Sequence, residues 1–512
     1  MQRSSFLELF HPDGRANRAL VIGRNCPALF TPESAEEYAS YADLILLAPS
    51  EKECRTQGWL PSAAERLADA LSPDGIAYVF APPLWRINLI KDCNRLGLVV
   101  SQSFGHLPDW RSTQYLLPFS PNPARFIFDA LISSPTWKRV FAIQAFRFHT
   151  TREMFASLWP YAGFILRRPG ARPLYQWLID LMGGSDSLKD LLLRTSWRGK
   201  DGAVYLYCFD SDHQQPFALA KVQRASKPAG SEVGEAEILR RMSPGIERAG
   251  AKPPRILSRI QTGAFSGTLQ TIVPGQQVAS LLRSNPDRLF QVFSKLIDWL
   301  EKWYLETVKM RPLDSQKLVT SLLKPMDFLM PKLEKGEAYR TWLIRRFQEA
   351  EGSLFPWPSA HNDLTMANIL LDSDGELGIV DWETGREECW PLVDFYYAIT
   401  DAMMCANGKM DRRQAVQACF SNGGEYHRHA QAWEARLIAA IHLSPRNADL
   451  CFQACWLHHA FNEQNVDLPL SAPRPFLKIV QWLANEHQDE KGAKTYAGIE
   501  NAPERDWVGP SG

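Results

Sequence analysis

The 512-residue chain lacks an excess of charge of either sign, because 57 lysines and arginines balance 57 aspartates and glutamates. This balance argues against a polyanionic partner such as nucleic acid, and against an acidic, solvating chain. Hydrophobic residues make up 45% of the sequence and charged residues 22%, which is typical of globular proteins. The length allows about two to four domains, each with a core of its own.

The sequence also lacks Cys-x-x-Cys pairs and membrane-length apolar runs, and we expect no secretory leader because residues 1–12 have no sustained apolar core. Its nine cysteines, scattered from Cys26 to Cys455 without a Cys-x-x-Cys pair, favour reduced thiols. No apolar stretch reaches the roughly 20 residues of a membrane span. We therefore expect a cytoplasmic protein with no membrane partner. Cys451 and Cys455 could form half a metal site, and His458 and His459 lie nearby, but packing is preferred because no second ligand pair has suitable spacing.

The first third of the chain alternates strand-like with helix-like segments. The predicted strands are 19–23, 42–47, 75–80 and 98–100. The predicted helices are 62–71 and 84–96. Such alternation predicts a parallel, doubly wound sheet. The segment 71–75 that leads into a strand, followed by 97–99 and a turn near 110–111, resembles the later half of a class I methyltransferase fold. Only Gly23 follows the first strand, where a nucleotide-type site needs several glycines. A degenerate Rossmann-like domain is therefore favoured over one that binds S-adenosylmethionine.

The stretch with the most specific chemistry carries four polar residues at fixed spacing: His361, Asp363, Asn368 and Asp381. Apolar runs at 369–371 and 377–380, joined by the turn 372–375, predict a β-hairpin. The hairpin should bring Asn368, just before it, close to Asp381, just after it. An amide oxygen and a carboxylate, with room for phosphates and water, are the ligands that a hard cation needs.

These four residues resemble the catalytic and metal-binding loops of the aminoglycoside phosphotransferase and choline kinase group, small-molecule kinases with a protein-kinase-like fold. The group's pattern is His-x-Asp-x-x-x-x-Asn, then an apolar strand and an aspartate, and it is complete here. The resemblance implies that Asp363 takes the proton of a hydroxyl and that His361 buttresses the loop. It implies Asn368 and Asp381 as Mg²⁺ ligands. Asn362 stands where the aminoglycoside branch often has glycine, and it looks more like the choline kinase branch.

The segments before this stretch resemble the smaller lobe of the same fold. A polar turn with Gly199 and Gly202 lies between two strand-like runs and could lay backbone N–H groups over nucleotide phosphates. Lys221 ends the next apolar strand, where the family has its phosphate-pairing lysine. On the helix that follows, the resemblance points to Glu235 as the partner of this lysine, with Glu237 as the alternative.

The sequence therefore predicts an α/β Rossmann-like N-terminal domain and an α+β bilobal protein-kinase-like domain. The predicted parts are 1–170 for the Rossmann-like domain, 171–186 for a linker, 187–275 for the smaller kinase-like lobe, 276–490 for the helical lobe and 491–512 for a flexible tail. Within the helical lobe, apolar residues at helical spacing from Leu289 to Trp303 predict a core helix.

The resemblance implies an ATP- and Mg²⁺-dependent phosphotransferase that moves the γ-phosphate to a hydroxyl of a small molecule. The acceptor could be a sugar, an aminoglycoside, a choline-like molecule or a glycan precursor. Asp394, Glu387 and Glu388 are candidates for contacting a cationic acceptor. Two alternatives stay open: an S-adenosylmethionine-dependent methyltransferase with a regulatory kinase-like half, and a non-catalytic nucleotide-binding scaffold.

Overall fold

The computed structural model describes residues 6–13, 16, 18–22, 41–81, 83–107, 113–127, 159, 162–184, 188–195, 203–211, 213–224, 234–262, 265–421, 423–465 and 474–487. The chain forms two compact units. Unit 1 comprises Met1–Ala236 and Pro254–Ile272, and unit 2 comprises Glu237–Pro253 and Val273–Gly512. In the part of the chain that the structure describes, no helix is long and apolar enough to cross a membrane.

Unit 1 is built on a sheet with the strand order β1-β2-β3-β6-β4-β5-β7-β8-β9-β12-β11. Its strands are Ala19–Ile22 (β1), Ala42–Leu47 (β2), Leu71–Phe80 (β3), Val99–Leu107 (β4), Tyr115–Pro118 (β5), Ala162–Arg167 (β6), Asp190–Thr195 (β7), Val204–Phe209 (β8), Ala218–Arg224 (β9), Ile256–Thr262 (β11) and Phe265–Thr271 (β12). Its helices are Phe6–Phe10 (a 3-10 segment), Glu51–Arg55, Trp59–Ala70, Pro83–Arg95, Pro121–Phe126 and Gln176–Leu181.

The sheet of unit 1 is mixed, whereas the alternating pattern predicted parallel strands. β1 pairs parallel with β2, and β2 with β3. β6 then lies antiparallel between β3 and β4, and the pairings from β4 to β11 are antiparallel. The pattern of a segment identifies it as a strand but does not give its neighbours, and β6 follows both of its neighbours in the chain. A Rossmann-like domain stays a prediction, and the loop that begins at Gly23 lies outside the described residues.

Apolar side chains cover both faces of the first strands. Leu44 of β2 is opposite Ile76 of β3, and the next residues, Ile45 and Ala77, also pair. All four are fully buried, and successive residues of a strand point to opposite faces. One face packs against the helices Trp59–Ala70 and Pro83–Arg95. The other belongs to an apolar cluster that continues along the sheet to β12.

The segment 171–186, predicted as a linker, contributes to that second cluster. Leu174, Tyr175 and Leu178 are buried in it, and Leu178 belongs to the helix Gln176–Leu181. Residues on both sides of the segment therefore share one core within unit 1. The five predicted parts of the chain stay a prediction.

Unit 2 is mainly helical. Its helices are Val278–Ser284, Leu289–Thr307, Ser315–Lys317, Lys324–Leu329, Gly336–Ala350, Val393–Ala406, Arg412–Phe420, Glu425–Ala440, Ala448–Asn465 and Pro475–Glu486, with the π-helical Leu318–Leu323 and the 3-10 segments Pro286–Arg288, Met330–Lys332, Trp382–Thr384 and Pro445–Asn447. The helix Glu235–Arg248 has its first two residues in unit 1 and the others in unit 2. The strands of unit 2 are Ala251–Lys252 (β10), Gln276–Gln277 (β13), Lys309–Pro312 (β14), Leu354–Trp357 (β15), Ile369–Leu371 (β16) and Leu377–Ile379 (β17).

The helix Leu289–Thr307 forms the core of unit 2, which confirms the prediction made from its spacing. Its buried side chains recur every three or four residues from Leu289 to Tyr304. The indole N–H of Trp303 donates to the carbonyl oxygen of Ser359, at 2.9 Å. Because Ser359 lies two residues before His361, this bond fixes the approach to the candidate catalytic loop.

We predict that Gly267→Ala destabilises unit 1. A Cβ atom at Gly267 of β12 would lie 1.9 Å from the carbonyl oxygen of Lys221 in the neighbouring strand β9. Because this oxygen belongs to the backbone, it cannot move aside by a change of rotamer, and the strand itself must shift. We expect a loss of about 2 kcal/mol of unfolding free energy, measured by thermal or urea denaturation.

Gly408→Ala is the matched control. A Cβ atom at Gly408 meets no heavy atom within 4 Å, so we expect a change within about 0.5 kcal/mol. Equal melting temperatures of Gly267→Ala and Gly408→Ala would show that β9 and β12 do not approach so closely at Gly267.

Candidate active site

The predicted hairpin forms and brings the two ends of the motif together. β16 and β17 pair antiparallel, with Ile369 opposite Ile379. In the turn, the side chain of Asp372 accepts hydrogen bonds from the backbone N–H groups of residues 374 and 376. Beyond the strands, the N–H of Val380 donates to the carbonyl oxygen of Asn368, at 3.0 Å. Asn368 and Asp381 therefore lie at the same end of the hairpin.

The loop before the hairpin is held by one buried carboxylate. The two oxygens of Asp394 accept the backbone N–H groups of His361 and Asn362, at 2.7 and 2.8 Å. Burial raises the pKa of Asp394 to about 6, while the two backbone hydrogen bonds oppose that rise. Asn362 itself has a left-handed backbone, with φ of 62°. Asp394 thus serves the loop, and it is not a contact for a cationic acceptor.

His361 joins the loop to the hairpin. Its Nε2 atom lies 2.9 Å from the carbonyl oxygen of Val380, and its Nδ1 atom lies 3.3 Å from the backbone nitrogen of Asp363. A carbonyl can only accept and a backbone N–H can only donate, so the ring is neutral with its proton on Nε2. The fully buried ring also lies against Trp382, with centroids 4.6 Å apart. Both nitrogens of His361 are engaged in positioning the loop.

Asp363 has the electrostatics of a proton acceptor. Burial and, next, the charge of Asp381 raise its pKa to about 7, whereas hydrogen bonds from Tyr397 and Asn368 act in the opposite direction. The Asn368 Nδ2 atom donates to the backbone carbonyl of Asp363, at 2.9 Å, and to its Oδ2 atom, at 3.2 Å. A carboxyl group with a pKa near neutrality can take a proton at physiological pH.

The donor chemistry at the end of the hairpin fits Mg²⁺. Because the Asn368 amide nitrogen is engaged by Asp363, its Oδ1 atom is the one that can face a cation. The Asp381 carboxylate supplies the second oxygen donor, and its repulsion of Asp363 is of the kind that a cation relieves. Among the described residues, no group of three or more His, Cys, Asp or Glu side chains could hold a metal ion. Phosphate oxygens and water would have to complete the coordination.

Three residues that the sequence analysis missed surround Asp363. Tyr397 donates a hydrogen bond to it. Asp401 accepts the Met366 backbone N–H, at 2.8 Å, and pairs with the Arg412 guanidinium, at 3.1 Å. That guanidinium lies 5.1 Å from the centroid of the Tyr397 ring. Tyr397 and Asp401 follow Asp394 by three and seven residues, which is one helix face, so this spacing could have revealed them.

Unit 1 contains the predicted lysine and its partner. Lys221 Nζ lies 3.3 Å from Glu235 Oε2, and both side chains are about nine-tenths buried. Gln270 donates to the same oxygen, at 3.1 Å. The alternative, Glu237, instead binds Arg240 and Arg241 on its own helix, and these hydrogen bonds lower its pKa to about 2.

For the predicted glycine turn, the structure describes only the two strands that flank it. Its flanking strands, β7 and β8, pair antiparallel, with Thr195 opposite Val204. Gly199 and Gly202 lie outside the described residues, and their contact with phosphates stays a prediction.

We predict that Asp363→Asn stabilises the protein more at alkaline pH than at acid pH. The folded-state pKa of about 7 exceeds the ordinary value of 3.8, so the folded chain holds this proton more tightly than the unfolded chain does. The stability that protonation contributes is therefore lost as the pH rises from about 4 to 7. Asparagine mimics the protonated form, and we expect a gain of about 1–3 kcal/mol at pH 8.

Thermal melts of the wild type and the variant at pH 5 and pH 8 measure this difference. Asp374→Asn, in the exposed hairpin turn, is the control and should give a much smaller difference between the two pH values. A gain of equal size at both pH values would contradict a raised pKa at Asp363.

Comparison with solved structures finds aminoglycoside phosphotransferases. A thermostable mutant of APH(4)-Ia, in ternary complex with ADP and hygromycin B, is 11% identical with a TM-score of 0.40, over 62% of this chain and 98% of that one. APH(3'')-Id from Streptomyces rimosus ATCC10970 is 17% identical with a TM-score of 0.35, over 55% and 96%. APH(2'')-IIa, in ternary complex with streptomycin and ATP, is 12% identical with a TM-score of 0.35, over 61% and 97%.

Sequence comparisons give no such likeness. No protein-family model matches the chain, and no curated protein is similar to it in sequence. At these identities and TM-scores, the likeness to the solved phosphotransferases assigns neither a substrate nor an activity to this chain.

Proposed function

We propose that this protein is an ATP- and Mg²⁺-dependent phosphotransferase that moves the γ-phosphoryl group of ATP to a hydroxyl of a small molecule. The observation that carries the proposal is the arrangement at one end of the hairpin. A carboxyl group with a pKa of about 7, Asp363, is hydrogen-bonded to Asn368 and close to the charge of Asp381. One proton acceptor beside two oxygen donors for a cation is what phosphoryl transfer to an alcohol requires.

In the proposed reaction, Asp363 accepts a hydrogen bond from the acceptor hydroxyl and takes its proton as the oxygen attacks the γ-phosphorus. The bond between the γ-phosphorus and the oxygen that bridges it to the β-phosphorus breaks, and ADP leaves with that oxygen. The proton acceptor must be fixed in place for this step, and its hydrogen bonds with Tyr397 and Asn368 restrain it. Asn368 and Asp381 would hold Mg²⁺, which supplies positive charge to the phosphate oxygens when bound. His361 is a positioning residue, because both of its ring nitrogens are engaged within the loop.

Lys221 is proposed to pair with the nucleotide phosphates, with Glu235 holding its ammonium group in place. The side chains of this pair are 10% and 8% exposed, so each charge needs the other. The turn with Gly199 and Gly202 is proposed to cover the phosphates.

The two alternatives have less support. A scaffold that only binds nucleotide has no use for a carboxyl group whose pKa is raised beside a second carboxylate. A methyltransferase has no need of the paired lysine and glutamate in unit 1. We also propose a cytoplasmic location, because the cysteines that the structure describes are all free thiols.

Acceptor-dependent formation of ADP from Mg-ATP tests the proposal. The wild type is assayed against a panel of sugars, aminoglycosides and choline-like alcohols. We expect Asp363→Ala to lower the rate by about 10²–10⁴-fold, which is the usual contribution of a general base. Asp381→Asn should lower it and weaken the response to Mg²⁺, while Asp374→Asn in the exposed turn should leave it unchanged.

The scaffold would be favoured if the protein binds ATP without acceptor-dependent turnover and if Asp363→Ala binds ATP as tightly as the wild type. Binding of S-adenosylmethionine to the full chain, with methyl transfer to the same acceptors, would favour the methyltransferase.

The pH dependence of the rate is a separate prediction. In the metal-free protein the pKa of Asp363 is raised to about 7, in part by the charge of Asp381. Bound Mg²⁺ opposes that charge, so at saturating Mg²⁺ the break in kcat/KM should lie below pH 7. Because Asp363 acts only when deprotonated, kcat/KM should rise about tenfold per pH unit on the acid side of the break and level off above it. Rates measured from pH 4.5 to pH 9 check this, and a rate that is constant over this whole range would exclude Asp363 as the proton acceptor.

A further inference from the structure

A cavity of about 480 Å³ opens in unit 2 beside the candidate catalytic loop. Its walls come from the π-helical segment Leu318–Leu323, from residues 386–390 and from the helix Ala448–Asn465. Asn362, the residue next to Asp363, also lines it. A cavity of this size holds a small-molecule ligand such as a sugar derivative.

The cavity also approaches Asp363 through His459 and Tyr397. His459, another lining residue, stacks on the Tyr397 ring with centroids 3.9 Å apart. Tyr397 in turn donates a hydrogen bond to Asp363. A ligand in the cavity would therefore lie within one or two side chains of the candidate proton acceptor.

Three cationic side chains line this cavity: Lys317, Lys324 and Arg386. Lys317 Nζ donates to the carbonyl oxygen of Glu388 and lies 4.4 Å from the Trp357 ring centroid. The Arg386 guanidinium donates to the Gly385 carbonyl oxygen, at 2.7 Å. Within the described part of the chain, none of the three cations forms an ion pair with a carboxylate. No carboxylate among the described residues therefore lies within ion-pair distance of these three charges.

The acidic side chains of the same cavity are already engaged. Glu387 pairs with Lys309, at 3.7 Å. Glu388 pairs with Lys309, at 3.3 Å, and with Arg311, at 2.9 Å. Neither Lys309 nor Arg311 lines the cavity, so cations outside it neutralise the acids inside it. The potential within the cavity is therefore positive, and opposite charge on a ligand is favoured there.

We infer that the phosphoryl acceptor is an anion: a small hydroxylated molecule with a phosphate or carboxylate group, which Lys317, Lys324 and Arg386 bind in this cavity. The inference rests on the proposed function and names its substrate class. It replaces the hypothesis of a cationic acceptor held by Glu387, Glu388 and Asp394. Two of these acids have cationic partners, and Asp394 uses both of its oxygens on the catalytic loop.

Sulfate serves as the probe for the anion site, because it needs no knowledge of the acceptor. Binding of sodium sulfate to the full chain is measured by calorimetry, with sodium chloride holding the ionic strength constant. We expect the Lys324→Ala/Arg386→Ala double variant to bind sulfate at least tenfold more weakly. Lys324→Arg/Arg386→Lys keeps the charges and should retain binding.

Lys302→Ala is the matched control, since Lys302 is an exposed helix lysine outside the cavity. It should bind sulfate as the wild type does. Equal sulfate binding by the wild type and the Lys324→Ala/Arg386→Ala variant would overturn the inference. An unchanged melting temperature in sodium chloride verifies that each variant is folded.

A second measurement separates the inference from the proposed function. Glucose, glucose 6-phosphate and glucosamine are compared as acceptors, alongside any acceptor found in the wider panel. The double variant should raise the KM of an anionic acceptor at least tenfold while the KM of Mg-ATP stays constant. If neutral or cationic acceptors are phosphorylated with unchanged KM in the variant, the inference fails and the proposed function stands. If sulfate binding is lost in the variant but the wild type phosphorylates nothing, the anion site stands and the proposed function fails.

Discussion

The buried carboxylate of Asp394 accepts the backbone N–H groups of His361 and Asn362, and the geometry of the candidate site depends on these two bonds. Hydrogen bonds to a charged group stabilise by about 1.5–3 kcal/mol each. Asn362 and Asp381 both have left-handed backbones, at a cost of order 1 kcal/mol each. The two bonds oppose this strain, and they hold the loop in a conformation that local preferences disfavour.

The same loop shows why His361 matters without touching a substrate. Its ring donates to Val380 and accepts from the backbone of Asp363, so it connects the residue before Asp381, the candidate metal ligand, with Asp363, the candidate proton acceptor. Asp401 makes a similar connection from the other side, since it joins the Met366 backbone to Arg412. Buried polar groups joined in this way define one arrangement, because breaking any bond leaves a costly unpaired partner.

The sequence predicted the parts of the site that depend on local spacing. The hairpin, the position of Asn368 before it and the strand that carries Lys221 follow from alternating residues and turn chemistry. Pairings between distant segments were not predictable in this way. The insertion of β6 between β3 and β4 and the pairing of Glu388 with Arg311 depend on tertiary contacts, and Arg412 gave no local signal at all.

The charged side chains of the two units differ in how far they are compensated by other side chains. In unit 1, the buried Lys221 has Glu235 as its counter-ion, and Gln270 holds that carboxylate. In unit 2, two like charges lie close together at the hairpin end, because Asp381 raises the pKa of Asp363. Among the described residues, the three cations that line the cavity form no ion pair with a carboxylate. Uncompensated charge of this kind is costly in a folded protein. A metal ion would relieve the repulsion at the hairpin end and an anionic ligand would compensate the cations, so the two imbalances are those that the proposed metal ion and acceptor would remove.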